Sequence, residues 1–68
     1  MSVAKISEII AISDKSYDDA IAQGVRRATK TLKNVKSAWV TDHTVSVGED
    51  GSITEHKIRM KVTFILND

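Results

Sequence analysis

A chain of 68 residues with no cysteine and a formal net charge of +1 excludes several classes at once. It is too short for two domains, has no disulfide, and lacks the strongly basic footprint of a nucleic-acid binder. Its 41% apolar and 28% charged side chains are those of a globular domain, not of a disordered segment.

A domain of this size buries only about 60% of the surface its unfolded chain exposes, and small folds are usually reinforced by disulfides, a metal or assembly. Two histidines without cysteine cannot fill the usual four-ligand zinc set. Assembly with further copies is therefore expected. The start Met1-Ser2-Val3-Ala4-Lys5 is not followed by an apolar stretch of signal-peptide length, nor does any stretch approach the roughly 20 residues of a membrane span. The expectation is a cytoplasmic protein forming one domain over 1–68.

Residues 3–12, rich in β-branched side chains and closed by Ser13-Asp14-Lys15-Ser16, read as a first strand. From Ser16 the period changes to 3.6: Tyr17, Ala20, Ile21, Gly24, Ala28 and Leu32 share one helical stripe, with Val25 at its edge. Ser16 is a suitable N-cap, and Asp19 three residues on resembles a capping box. Asp18 and Asp19 suit the positive end of the helix dipole, Lys30 and Lys33 its negative end, and Asn34 is the expected stop. Gly24 on a buried stripe predicts a close approach of helix to sheet.

Two extended runs follow, 35–47 and 53–66, separated by Gly48-Glu49-Asp50-Gly51, whose Asp-Gly is a hairpin signal. In the last run Ile58, Met60, Val62, Phe64 and Leu66 share one face, and Lys57, Arg59, Lys61 and Thr63 the other. In the middle run Trp39, Val45 and Val47 have one parity, Ala38 and Val40 the other. The fold expected is α+β in the order β-α-β-β, a three-stranded antiparallel sheet wrapped around one amphipathic helix. At 3.3 Å per residue, strands of 13 or 14 residues reach about 45 Å, well beyond a helix of roughly 25 Å. Their overhanging ends again favour assembly.

Order and residues together resemble the dodecin family over nearly the whole chain. The likeness rests on Lys5-x-x-Glu8-Ile9-Ile10-x-x-Ser13, on Ala20-Ile21-x-x-Gly24-x-x-Arg27-Ala28-x-x-Thr31-Leu32, on Val40, and on Met60-x-Val62-x-Phe64-x-Leu66 followed by an acidic end. The resemblance implies a hollow homododecameric shell holding flavins, riboflavin or FMN, between subunits for storage and protection, and it implies no enzyme activity. Flavin-binding members stack a Trp from a Trp-Phe-Glu-Val stretch on the isoalloxazine. Aligning on Leu32 and Val40 puts Ser37 at that position and Trp39 at the glutamate position two residues on. A Gln that contacts the ring in the family maps to Lys57. In this respect the chain is similar to the branch without the Trp signature, some of whose members are named for calcium.

The candidate flavin-binding residues are accordingly Trp39, Ser37 and Lys57. Trp39 has two readings, ring stacking or packing at a subunit interface. The basic ladder Lys57, Arg59 and Lys61 either holds a phosphate, of FMN or coenzyme A, or forms a solvated face paired with acids such as Asp42. His43 and His56 each adjoin an acid, Asp42 and Glu55, but neighbours on a strand point to opposite faces, so no metal set is expected there. Glu49-Asp50-Gly51 falls short of a calcium loop. The alternative to flavin storage is a structural shell that binds another small ligand or cation, such as calcium or coenzyme A. The chain holds neither a cysteine nucleophile nor the motif Gly-x-Ser-x-Gly.

Overall fold

The computed structural model describes residues 2–66; Met1 and the acidic end at Asp68 lie outside the described residues. The elements follow the predicted order: β1 (Ala4–Ser13), α1 (Tyr17–Thr31), β2 (Val35–Val47) and β3 (Ile53–Ile65). The sheet order is β1-β3-β2 with both pairings antiparallel, so the strand with the cleanest alternation is the central one.

The helix lies across one sheet face. Ile58, Met60 and Val62 of β3 are fully buried beneath it, flanked by Ile9 and Ala11 from β1 and by Ala38 and Val40 from β2. The helix contributes Ala20, Gly24 and Ala28, one small residue per turn, and that line lets the backbone come close. A Cβ at Gly24 would stand 2.6 Å from Met60 Cε and 3.0 Å from Ala11 Cβ. Ala11 has no torsion with which to withdraw, and Met60 is enclosed. Alanine gains about 1 kcal/mol in helix propensity, but overpacking costs about 1–3 kcal/mol. Gly24→Ala is thus expected to lower stability by about 1 kcal/mol net, read as a lower urea midpoint. A midpoint at or above that of the parent would show that the groove has room.

Both helix ends are fixed locally. Ser16 Oγ accepts the Asp19 N–H at 3.0 Å, as expected of the N-cap. The capping box is not closed in the expected way. The Asp19 carboxylate instead accepts from Ser13 Oγ at 2.5 Å and from Gln23 Nε2 at 2.6 Å. The hydroxyl bond from Ser13 is the main reason the Asp19 carboxyl sits below its ordinary pKa of 3.8, helped by Gln23, Lys15 and Arg26. Ser13 is itself buried and accepts the Lys15 N–H at 3.0 Å, which ties the end of β1 to the helix start. At the other end Asn34 takes the left-handed conformation, φ 61°, and turns the chain into β2.

The hairpin closes through Gly48 N–H to Ser52 O at 2.7 Å and Gly51 N–H to Gly48 O at 3.0 Å, with Gly51 at φ 86°. Directly opposite residues share a face of a sheet. The ladder runs Ala38 to Val62, Trp39 to Lys61 and Val40 to Met60, then shifts so that Asp42 faces Arg59 and Val45 faces His56. The extra residue, Thr41, is a β-bulge that reverses the parity of the strand as far as Ser46, where a second shift pairs Val47 with Ile53. Val45 therefore stands on the helix side with Ala38 and Val40, and does not share the face of Trp39 as simple alternation predicted.

The long strands give an extended subunit, 53 × 19 × 13 Å. Its radius of gyration is 14.1 Å, where a compact chain of this length has about 11 Å. Its accessible surface is 5059 Å², against about 4,200 Å² for a compact monomer of the same mass. Only Ala20, Ala28, Ile58, Met60 and Val62 form the buried apolar core among the described residues, while Ile6, Ile10, Ile12, Trp39, Val47 and Ile53 are exposed.

Candidate functional site

The sheet face away from the helix is built of cross-strand rows whose members are fixed by the register. Ile6, Thr63 and Ser37 form one row; Glu8, Lys61 and Trp39 the next; then Ile10, Arg59 and Asp42; then Ile12, Lys57 and Thr44. All three residues predicted to contact a ligand lie on this face. Ser37 and Trp39 are neighbours two residues apart along β2, an edge strand. Lys57 is four residues from Lys61 along β3, about 13 Å from the row of Trp39. One subunit thus brings Ser37 and Trp39 together and leaves Lys57 apart.

Trp39 is 64% exposed, unusual for the one indole of a small domain. Lys61 Nζ lies 5.5 Å from its ring centroid, a cation–π contact that contributes about 0.5–1 kcal/mol at an exposed site. The pairing of Trp39 with Lys61 is an addition to the sequence reading. Its signal was present: the two residues are equidistant from Asp50, at the centre of the turn.

The basic ladder is largely balanced on its own face. Glu8 stands opposite Lys61 and Asp42 opposite Arg59. Glu55 is two residues from Lys57 on the same strand, and hence on the same side. Beside it lies a shallow depression of about 190 Å³ lined by Ile10, Asp42, Thr44, Lys57, Ile58 and Arg59. This arrangement matches the paired polar face more closely than a concentrated phosphate site.

The histidines fall on the helix side, as partners of Ile58 and Val45. Both pack on Tyr17 at the start of α1, with ring centroids 4.4 Å apart for His43 and 5.1 Å for His56. Asp42 and Glu55 occupy the opposite face, so the predicted separation of each histidine from its neighbouring acid holds. Among the described residues no three His, Cys, Asp or Glu side chains converge as a metal set. In the turn, Asp50 Oδ1 accepts the Ser52 hydroxyl at 2.6 Å and the Ser52 N–H at 3.0 Å. These bonds hold the Asp50 carboxyl below its ordinary pKa and commit that oxygen to the hairpin.

What the face can do chemically is offer a flat, electron-rich ring at a sheet edge, a hydroxyl beside it, and alternating charges along the centre. In an isolated subunit this is an open platform, not an enclosed pocket.

Comparison with known proteins places this architecture. Residues 3–67 match the family model described as Dodecin. The calcium dodecin of Mycobacterium tuberculosis is 34% identical over 64 residues, covering 94% of this chain and 89% of that protein. A crystal structure of a T. thermophilus dodecin variant superposes with a TM-score of 0.92 at 28% identity, covering the whole of both chains. The crystal structure of the Mycobacterium tuberculosis calcium dodecin, described as calcium chelating, gives a TM-score of 0.82 at 30% identity, covering 97% of this chain and 93% of that one. With the β-α-β-β fold, the family model spanning nearly the whole length, and these relatives in agreement, the chain belongs to the dodecin family.

Proposed function

We propose that the chain, acting as one domain over its full length, assembles into a hollow homododecamer that binds and stores a flavin, FMN or riboflavin, where subunits meet. The observation that carries this reading is Trp39. It is an exposed indole on the open sheet face, at an edge strand, in a family whose flavin-binding members stack a Trp from the same strand. Offset stacking on such a ring contributes about 0.5–1.5 kcal/mol beyond the area buried. Ser37 supplies a hydroxyl two residues away. Lys57, about 13 Å from that row within its own subunit, supplies a polar contact from a second copy. The role is to bind and shield a flavin in the cytoplasm; catalysis has no part in it. No helix among the described residues is long and apolar enough to cross a membrane.

A second reading is favoured by one specific observation, the 34% identity to a protein named calcium dodecin. On that reading the shell binds a cation, or a different small ligand such as coenzyme A, without flavin. Among the described residues of one subunit no cluster of three carboxylate or imidazole ligands is assembled for it.

A fluorescence titration of the assembled protein with riboflavin and with FMN separates the two. Quenching of flavin emission at micromolar concentration is the expected result. Flavin emission that stays constant, together with calcium-dependent thermal stabilisation, would overturn the flavin reading in favour of the cation one.

A further inference from the structure

The solvent side of α1 carries more positive charge than its neighbours offset. Between residues 20 and 41 stand five basic side chains, Arg26, Arg27, Lys30, Lys33 and Lys36, and no acidic one. Along the helix Asp19, Gln23, Arg26 and Lys30 follow one another at intervals of three and four, so they share one face. With Lys15, just before the N-cap, and Arg27 they line an elongated hollow of about 460 Å³. From Asp19 to Lys30 it follows the helix axis for about 16 Å. Its four cations are all exposed.

We infer that this flank of α1 is a binding site for a linear oligophosphate, an anion of two or more linked phosphate groups. The inference goes beyond flavin storage and does not depend on it, because Trp39, Ser37 and Lys57 lie on the sheet face away from the helix. Four cations in the hollow face a single carboxylate, Asp19. That carboxylate takes its hydrogen bonds from neutral groups, Ser13 Oγ and Gln23 Nε2, both to the same oxygen. It offsets one positive charge and leaves the others to a ligand.

The lining selects the chemistry of that ligand. Arg26 and Arg27 offer planar forks that hold phosphate oxygens in pairs, and Lys15 and Lys30 add compact point charges. Lys33 and Lys36, past the end of the helix, strengthen the field that draws an anion in. The hollow has room for about 15 water molecules at about 30 Å³ each, more than a single phosphate group needs. Among the described residues no apolar side chain lines it, so a lipid surface has no hydrophobic foothold there. No aromatic ring lines it either, so the bases of a nucleic-acid strand find no platform. A chain of phosphates needs neither.

The test is isothermal titration calorimetry of the full chain, in whatever assembly it forms, with sodium tripolyphosphate, orthophosphate and ATP. Tripolyphosphate is expected to saturate at about one per chain and to bind about tenfold or more tighter than orthophosphate. Raising salt from about 0.05 M to about 0.5 M should weaken it about tenfold or more, since these charges are exposed. Arg26→Ala with Lys30→Ala should weaken it about tenfold or more while flavin quenching stays at the level of the parent. Alanine suits exposed helix positions, so the circular dichroism of this variant should match the parent and exclude a folding defect. ATP separates a free phosphate chain from a nucleotide: affinity equal to that of tripolyphosphate supports recognition of the phosphates alone, and much tighter binding would overturn it. Tripolyphosphate binding that is absent, or that never saturates and vanishes at about 0.15 M salt, would reduce the flank to a solvated face and overturn the site. Binding that survives the Arg26 and Lys30 replacements but is lost in Lys57→Ala with Arg59→Ala would move the anion to the sheet and overturn the assignment to α1.

Discussion

Replacing Ile10 and Ile12 with serine is expected to dissolve the assembly and, with it, the fold. Ile6, Ile10 and Ile12 project from the face of β1 that the helix does not cover, and Ile10 is 54% exposed in a single subunit. For a protein that functions alone, two such exposed positions would matter little, since surface substitutions usually stay within about 0.5 kcal/mol. This chain is different, because among the described residues its own buried apolar core is five side chains, two of them alanines. The isoleucine stripe is the natural complement. Burying an isoleucine side chain contributes about 1.5–3 kcal/mol, so two per subunit approach the whole stability of a small domain. In the double variant we expect the native mass to fall to that of a single chain and the far-ultraviolet circular dichroism to lose its folded signature on dilution. If the variant assembles and melts like the parent, the stripe is not what holds subunits together, and the core of a single copy must suffice.

Most of the fold was legible because local signals and the global arrangement agree. The 3.6-residue stripe from Tyr17 to Leu32, the serine N-cap, the Asn34 stop and the Asp50-Gly51 turn each specify one local geometry. The alternation of Ile58, Met60 and Val62 then identifies the face that receives the helix. The illegible part begins at Thr41. Val40, Thr41 and Asp42 carry nothing that marks an inserted residue, yet the bulge reverses the side chains from Asp42 to Ser46, beyond which the register shifts again. Simple alternation puts His43 and Val45 on the face of Trp39, whereas the register sends them to the helix side, where His43 meets Tyr17. Such a choice is made by tertiary packing, since only the bulged register lays Asp42 opposite Arg59. The candidate site was legible in part for the same reason. Ser37 and Trp39 lie before the bulge, on a stretch where alternation holds, while the separation of Lys57 from them is a matter of distance along β3. What a lone sequence cannot supply is the neighbour that covers an exposed ring.

Trp39→Ala is the substitution that decides the ligand. Removing an aromatic platform beneath a stacked heteroaromatic ring costs about 1–3 kcal/mol, so FMN and riboflavin should both bind about 10- to 100-fold more weakly. Trp39→Phe, which keeps a smaller ring, should fall between parent and alanine. The competing role for Trp39 is interface packing, and mass tells the two apart. If the indole stacks on flavin, the alanine variant keeps the subunit count of the parent and loses quenching. If it packs against a neighbour, the variant loses assembly before any flavin is added. Lys61 bears on the same experiment, because its ammonium lies 5.5 Å from the ring centroid, within cation–π range of the surface a flavin needs. Admitting the ring means moving the lysine aside, and its flexible stem allows that at a cost of about 0.5–1 kcal/mol for the contact given up. Equal flavin affinity in parent and alanine variant, with the shell intact in both, would remove Trp39 from the site and leave this sheet face without a reason to expose an indole.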